Sequence, residues 1–197
     1  MTRAAIRTGP LSPRHRARVQ EILEATGVFR GDEIKVALEL FDETNETKGT
    51  NSSNSSNSSN SSNSSNSSNS SPSPAYVFLG AFTPEDELVG YACYGPTPGT
   101  DRTWDLYWIA MHPSAQGTGS GTTLLSEVER RLEDTDARLL LVETSSRSEY
   151  RATHEFYRAR GYAEAARMRD FYAPSDDRII FTKRFHPRPT GQGAVAQ

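Results

Sequence analysis

Residues 51–71 consist of Asn-Ser-Ser repeated seven times, and no stretch limits the fold more. A segment with no apolar side chain buries nothing that offsets the entropy of ordering it, so it cannot join a core. The repeat reads as a disordered tether, and the wider span 46–74 as an Asn/Ser-rich insertion. Of the 197 residues, the 21 of the tract are set aside, and 176 remain to build a fold. That is enough for one domain over 1–185, interrupted by the insertion and followed by a flexible tail at 186–197. Each Asn-Ser-Ser is formally a glycosylation acceptor, but the basic start Met1–Pro10 has no apolar stretch like that of an export signal.

Charge and cysteine content narrow the classes. A net charge of −3 argues against nucleic-acid binding by counterion release. The single cysteine, Cys93, excludes an internal disulfide framework and a multi-cysteine metal centre, and no metal is expected. No apolar run approaches the roughly 20 residues that span a bilayer, so neither membrane nor nucleic acid is an expected partner. The expectation is a cytoplasmic protein, monomer or homodimer.

Periodicity divides the rest. Ala5–Arg7 reads as a short strand. Ser12-Pro13 reads as a cap with proline in the first turn, leading a helix over Arg14–Ala25 that ends at Gly27. A second helix from Gly31 to about Glu43 places Ile34, Ala37, Leu38 and Phe41 on one face. Its opposite face is acidic, a solvated surface or an attractor of cations. Tyr76–Phe82 and Leu88–Tyr94 read as a hairpin and Trp104–Met111 as a third strand. A helix over Ser120–Asp134, a buried strand over Arg138–Thr144, a helix over Tyr150–Arg160 and strands over Ala163–Tyr172 and Arg178–Phe185 complete the series. The order implies an α/β (α+β) fold with a mixed, mostly antiparallel central sheet flanked by helices.

Chemistry concentrates in Gln116-Gly117-Thr118-Gly119-Ser120-Gly121, which follows a strand and opens a helix. Glycines let backbone N–H groups approach an anion closely, and a helix start supplies unpaired donors, so the segment suits a pyrophosphate. The spacing is neither the dinucleotide fingerprint nor a P-loop. On spacing alone a flexible loop fits equally well.

Ile109-Ala110-Met111-His112-Pro113, then Gln116, Gly119, Gly121 and Leu124-Leu125, resembles the acyl-coenzyme A signature of the GNAT superfamily of N-acetyltransferases. Phe156-Tyr157, followed by Gly161-Tyr162, resembles that superfamily's second motif. The likeness covers roughly residues 3–185 apart from the tract. It implies a GNAT-like fold, with acetyl-coenzyme A as co-substrate and a small-molecule or peptide amine as acceptor. It also implies that main-chain groups of Gln116, Gly117, Thr118, Gly119, Ser120 and Gly121 hold the pyrophosphate. Ile109, Ala110 and Met111 would pair with the pantetheine arm, and Tyr157 would be general acid for the leaving thiolate. Two positions depart from the pattern: Thr118 stands where a basic residue is common, and Tyr150 where many members carry Asn.

The general base stays open. Asp105 is one candidate, although it fits equally an edge carboxylate paired with an arginine, and Glu143 is the other. Period two places Asp105 and Tyr107 on one face of their strand and Trp104, Leu106 and Trp108 on the other. His112 reads as a turn residue, His154 as a weak acceptor-site candidate and Cys93 as a small buried side chain. A non-catalytic acyl-coenzyme A sensor, and an interaction protein working through its Asn/Ser tract, are the rival classes.

Overall fold

The computed structural model describes residues 6–51 and 76–185; of the expected insertion 46–51 falls among them, in a helix, and the rest of it and the tail lie outside the described residues. Seven strands form one sheet in the order β1-β2-β3-β4-β5-β7-β6. They are β1 Arg7–Pro10, β2 Val77–Phe82, β3 Leu88–Pro96, β4 Thr103–Met111, β5 Leu139–Ser145, β6 Ala163–Ala173 and β7 Asp176–Arg184. Every neighbouring pair is antiparallel except β4 and β5. Four helices flank the sheet: α1 Arg16–Thr26, α2 Gly31–Asn51, α3 Ser120–Asp134 and α4 Arg151–Arg158.

Local chemistry sets the helix ends. Pro13–His15 forms a single 3-10 turn before α1, in which Ser12 and His15 bond reciprocally as a capping box. Gly27 ends α1 in the left-handed region at φ 67°, a conformation that costs glycine nothing. Helix α2 runs past Glu43 to Asn51, beyond the expected end. Thr44 and Asn45 donate their side chains to the carbonyls of Leu40 and Phe41, so these polar residues sit in the helix instead of ending it.

Each face of the sheet carries its own core. On one side Val19, Ile22 and Leu23 of α1 and Ala37 and Phe41 of α2 pack on Phe78, Tyr91 and Cys93. On the other, Leu124, Leu125, Val128 and Leu132 of α3 and Tyr157 of α4 pack on Leu79, Ala92, Leu140 and Phe181. Burying one such side chain contributes roughly 1.5–3 kcal/mol. These two layers hold the middle of the sheet, where the site lies.

Strand β4 departs from simple alternation. Cys93 pairs with Trp108 and Tyr94 with Leu106, which leaves Tyr107 as an extra residue, a β-bulge. Trp104, Leu106, Ile109 and Met111 therefore pack towards α3, while Tyr107, Trp108 and Ala110 pack towards α1 and α2. Trp108 thus lies opposite Trp104 and Leu106, contrary to strict period two, because the bulge shifts the phase by one residue.

Candidate active site

The parallel pairing of β4 and β5 spans only Thr103↔Leu139 to Leu106↔Val142. Beyond that point β5 continues with β7 as far as Ser145↔Arg178, and β4 with β3 as far as Gly90↔Met111. From the bulge onward the strands part, and among the described residues Tyr107–Met111 has no strand partner on its β5 side. An unpaired strand edge is a template for an extended ligand. Ile109, Ala110 and Met111, the residues expected beside the pantetheine arm, lie on this edge.

The glycine turn lies at its end. Gly117 and Gly119 have φ of 71° and 87°, left-handed conformations that favour glycine. The Thr118 hydroxyl donates to the Ala115 carbonyl at 2.7 Å, and the Ser120 hydroxyl lies 2.7 Å from it. Thr118 therefore braces the turn from within. The Gln116 side-chain amide donates to the Met111 carbonyl at 3.1 Å, tying turn to strand. At Gly121 a Cβ would lie 3.4 Å from Met111 and 3.6 Å from Phe156, in ordinary contact, so the first turn of α3 sits beside β4 and α4. The N–H groups of Gly121 and Thr122 belong to the first helical turn, whose donors a helix leaves unpaired. Nothing lies within 4 Å of a Cβ built at Gly117, so the approach to the turn is open. The glycines, helix start and free edge fit an extended ligand that carries a phosphate.

A residue that sequence reasoning missed stands beside this turn. Arg160 donates to the Thr122 hydroxyl and, at 2.7 Å, to the Phe156 carbonyl, and its guanidinium stacks 3.6 Å over the Phe156 ring. It brings a positive charge to the first turn of α3, which Thr118 does not supply. No local signal announces it, because Thr122 and Arg160 are 38 positions apart.

Two adjoining cavities occupy the wedge between β4 and β5. The inner one, about 170 Å³, is lined by Asp105, Leu106, Tyr107 and Glu143. The outer one, about 190 Å³, shares Tyr107 and Glu143 and adds Arg30, Glu33, Arg147 and Asp176, with aromatic walls that include Trp108 and Tyr172. The structure thus brings both candidate bases to one place. Thr97 donates to Asp105 at 2.7 Å, and among the described residues no arginine pairs with Asp105. Glu143 forms an ion pair with Arg178. Tyr107 hydrogen-bonds Tyr76, and burial, followed by the charge of Asp105, raises its pKa.

Tyr157 is 1% exposed, with its ring against Phe156, Tyr162 and Phe181. Burial raises its pKa, with a further push from Tyr150, which lines the outer cavity. Tyr150 is itself raised by burial and carries the Arg147 guanidinium 5.4 Å over its ring. His154 does not line either cavity. It is buried behind β5, with Nε2 3.0 Å from both the Thr144 hydroxyl and the Ser145 carbonyl, and burial lowers its pKa. His112 caps its own turn by accepting from the Ser114 amide. Cys93 is buried, which pushes its thiol pKa up.

The fold and site define an α/β protein with a sheet split at its centre and a glycine turn at the head of a helix. The acetyltransferase (GNAT) family profile matches residues 39–162. A GNAT-family protein from Desulfovibrio desulfuricans is 36% identical, with a TM-score of 0.73 over 92% of this chain and 98% of that one. The chain belongs to the acetyltransferase (GNAT) family. The fold is shared more distantly with PaiA N-acetyltransferase from Thermoplasma acidophilum, solved in complex with coenzyme A, at 16% identity and a TM-score of 0.62 over 92% and 99% of the two chains. A ribosomal-protein-alanine N-acetyltransferase from Brucella melitensis matches at 18% identity and a TM-score of 0.64, over 91% and 99%. No functionally curated protein matches the sequence.

Proposed function

We propose that this acetyltransferase moves an acetyl group from acetyl-coenzyme A to a primary amine by direct attack in a ternary complex. The observation that carries the reading is the parting of β4 from β5 at the Tyr107 bulge, between the glycine turn and a cavity lined by two carboxylates. Acetyl-coenzyme A supplies the activated thioester carbonyl and a thiolate leaving group. The amides around Gln116–Gly121 and the Arg160 guanidinium hold its phosphates, and the free edge at Ile109–Met111 takes its pantetheine arm. Main-chain N–H groups at that edge face the thioester oxygen, where one donor can lower the barrier by about 3 kcal/mol.

Asp105 is the base of this scheme, because Glu143 is already neutralised by Arg178 while Asp105 accepts only the hydroxyl of Thr97 among the described hydrogen bonds. It takes a proton from the ammonium, directly or through water. The free amine then forms the C–N bond as the C–S bond breaks, the new amide nitrogen releases its surplus proton to solvent, and Tyr157 gives its phenolic proton to the departing sulfur and is reprotonated from solvent. Juxtaposition of amine and thioester can supply about 7 kcal/mol or more of the barrier reduction. Acid and base add about 10²–10⁴-fold each. The test is thiol release from acetyl-coenzyme A with a panel of amines, the acetylated product being identified by mass spectrometry. Binding of acetyl-coenzyme A with no acetylated amine from any class of primary amine would leave a sensor instead of an enzyme.

A further inference from the structure

The outer cavity of the wedge has guanidinium groups that the inner one lacks, and the difference describes the acceptor. The charged groups that line the inner cavity are the carboxylates of Asp105 and Glu143, of which Glu143 is paired with Arg178. The outer cavity adds two arginines, Arg30 and Arg147, which stand beside the carboxylates of Glu33, Glu143 and Asp176. Arg147 is built in: its guanidinium donates to the Val28 carbonyl at 3.0 Å and to the Ser145 hydroxyl at 3.3 Å, and lies 3.8 Å from the buried Asp176. Asp176 is in turn fixed by the Ser145 hydroxyl at 2.5 Å. Arg30 approaches Asp32 and Glu33 only at 3.7 Å, beyond hydrogen-bonding distance, so its donor fork is unspent among the described residues. A guanidinium fork with free donors matches a carboxylate in two-point geometry. The rings of Tyr107, Trp108 and Tyr150 line the same outer cavity.

We infer that the acceptor is a primary amine that also carries a carboxylate, of the class of α-amino acids with apolar or aromatic side chains. Its amine lies between Asp105 and Glu143, where the thioester is met, and its carboxylate lies on Arg30 and Arg147. The inference rests on the acetyltransferase reading above and narrows its acceptor. Cavities of about 190 and 170 Å³ suit a small acceptor.

The experiment is thiol release by the full chain with acetyl-coenzyme A and matched acceptor pairs: phenylalanine against phenethylamine and phenylalanine amide, and leucine against isoamylamine. Binding of acetyl-coenzyme A is measured in parallel by calorimetry. The amino acids are expected to show kcat/KM about tenfold or more above their carboxylate-free partners, the worth of one charged hydrogen bond. Arg30→Gln is expected to erase that preference through KM while the carboxylate-free amines change little. Arg147→Lys, which keeps the charge and loses the fork, guards against misfolding and is expected to show the same pattern more weakly. Equal or better turnover of the carboxylate-free amines overturns the inference and leaves the acetyltransferase reading standing. Binding of acetyl-coenzyme A with no acceptor of either kind acetylated also overturns it. Failure to bind acetyl-coenzyme A overturns both.

Discussion

Replacing Tyr157 with phenylalanine removes one oxygen from the core and leaves the ring against Phe156, Tyr162 and Phe181, at centroid distances of 5.4, 5.3 and 5.8 Å. A net hydrogen bond is worth about 0.5–1.5 kcal/mol, and a chain of this size shifts about 2–4 °C per kcal/mol, so Tm should fall by no more than about 6 °C. Tyr157→Ala empties the same volume at a cost of about 3–5 kcal/mol, or roughly 6–20 °C. Loss of the general acid should cut kcat in the phenylalanine variant by about 10²-fold or more, while proximity keeps turnover above background. Because burial raises the Tyr157 pKa, the phenol stays protonated at neutral and mildly alkaline pH. The kcat of the parent protein should therefore rise with amine deprotonation and show no decline from loss of this acid up to about pH 10. Thermal melts and thiol release at several pH values read both effects. Undiminished kcat in Tyr157→Phe across that range would remove Tyr157 from the chemistry and refute the reasoning.

Arg160→Gln removes the cation beside the first turn of α3, and the apparent affinity for acetyl-coenzyme A should fall about tenfold or more, as for a charged hydrogen bond, with KM for the amine unchanged; calorimetry and steady-state kinetics check it. Glu127 is held at about 2 against an ordinary 4.5, chiefly by its hydrogen bond with Arg130. A carboxyl depressed in the folded state contributes stability that is fully present above pH 4.5 and lost as pH falls towards 2. Glu127→Gln should lower Tm at neutral pH slightly and flatten its fall between those values, as thermal melts across the acid range would show.

Much of this architecture was legible in the residues. Helix α3 is predicted and found over Ser120–Asp134, because Leu124, Leu125, Val128 and Leu132 mark one face and the glycines mark its start. The hairpin of β2 and β3 follows from two apolar runs around a polar turn, and the glycine turn is visible as a motif. What stayed hidden depends on pairing across the sheet. A bulge is a mismatch in residue count between two strands, so nothing around Tyr107 announces it, and the phase of Trp108 was read wrongly for that reason. The wedge arises because β5 keeps β7 along its whole length but loses β4 after Val142, a choice made at long range. Both carboxylates of the inner cavity were identified as candidates, but that Arg178 occupies one of them follows only from the register of β7 on β5. The outer arginines come from the α1–α2 connection and the end of β5, and no spacing joins them.

The central claim is that the glycine turn and the open edge of β4 form an acetyl-coenzyme A site. Thermal unfolding with and without acetyl-coenzyme A, with NADH and ATP as controls, tests it most directly. Ligand at about 100 times its dissociation constant adds roughly 2.7 kcal/mol, an upward shift of about 5–10 °C for a chain of this size. The account predicts that shift with acetyl-coenzyme A and not with the controls. No shift at millimolar acetyl-coenzyme A would contradict it.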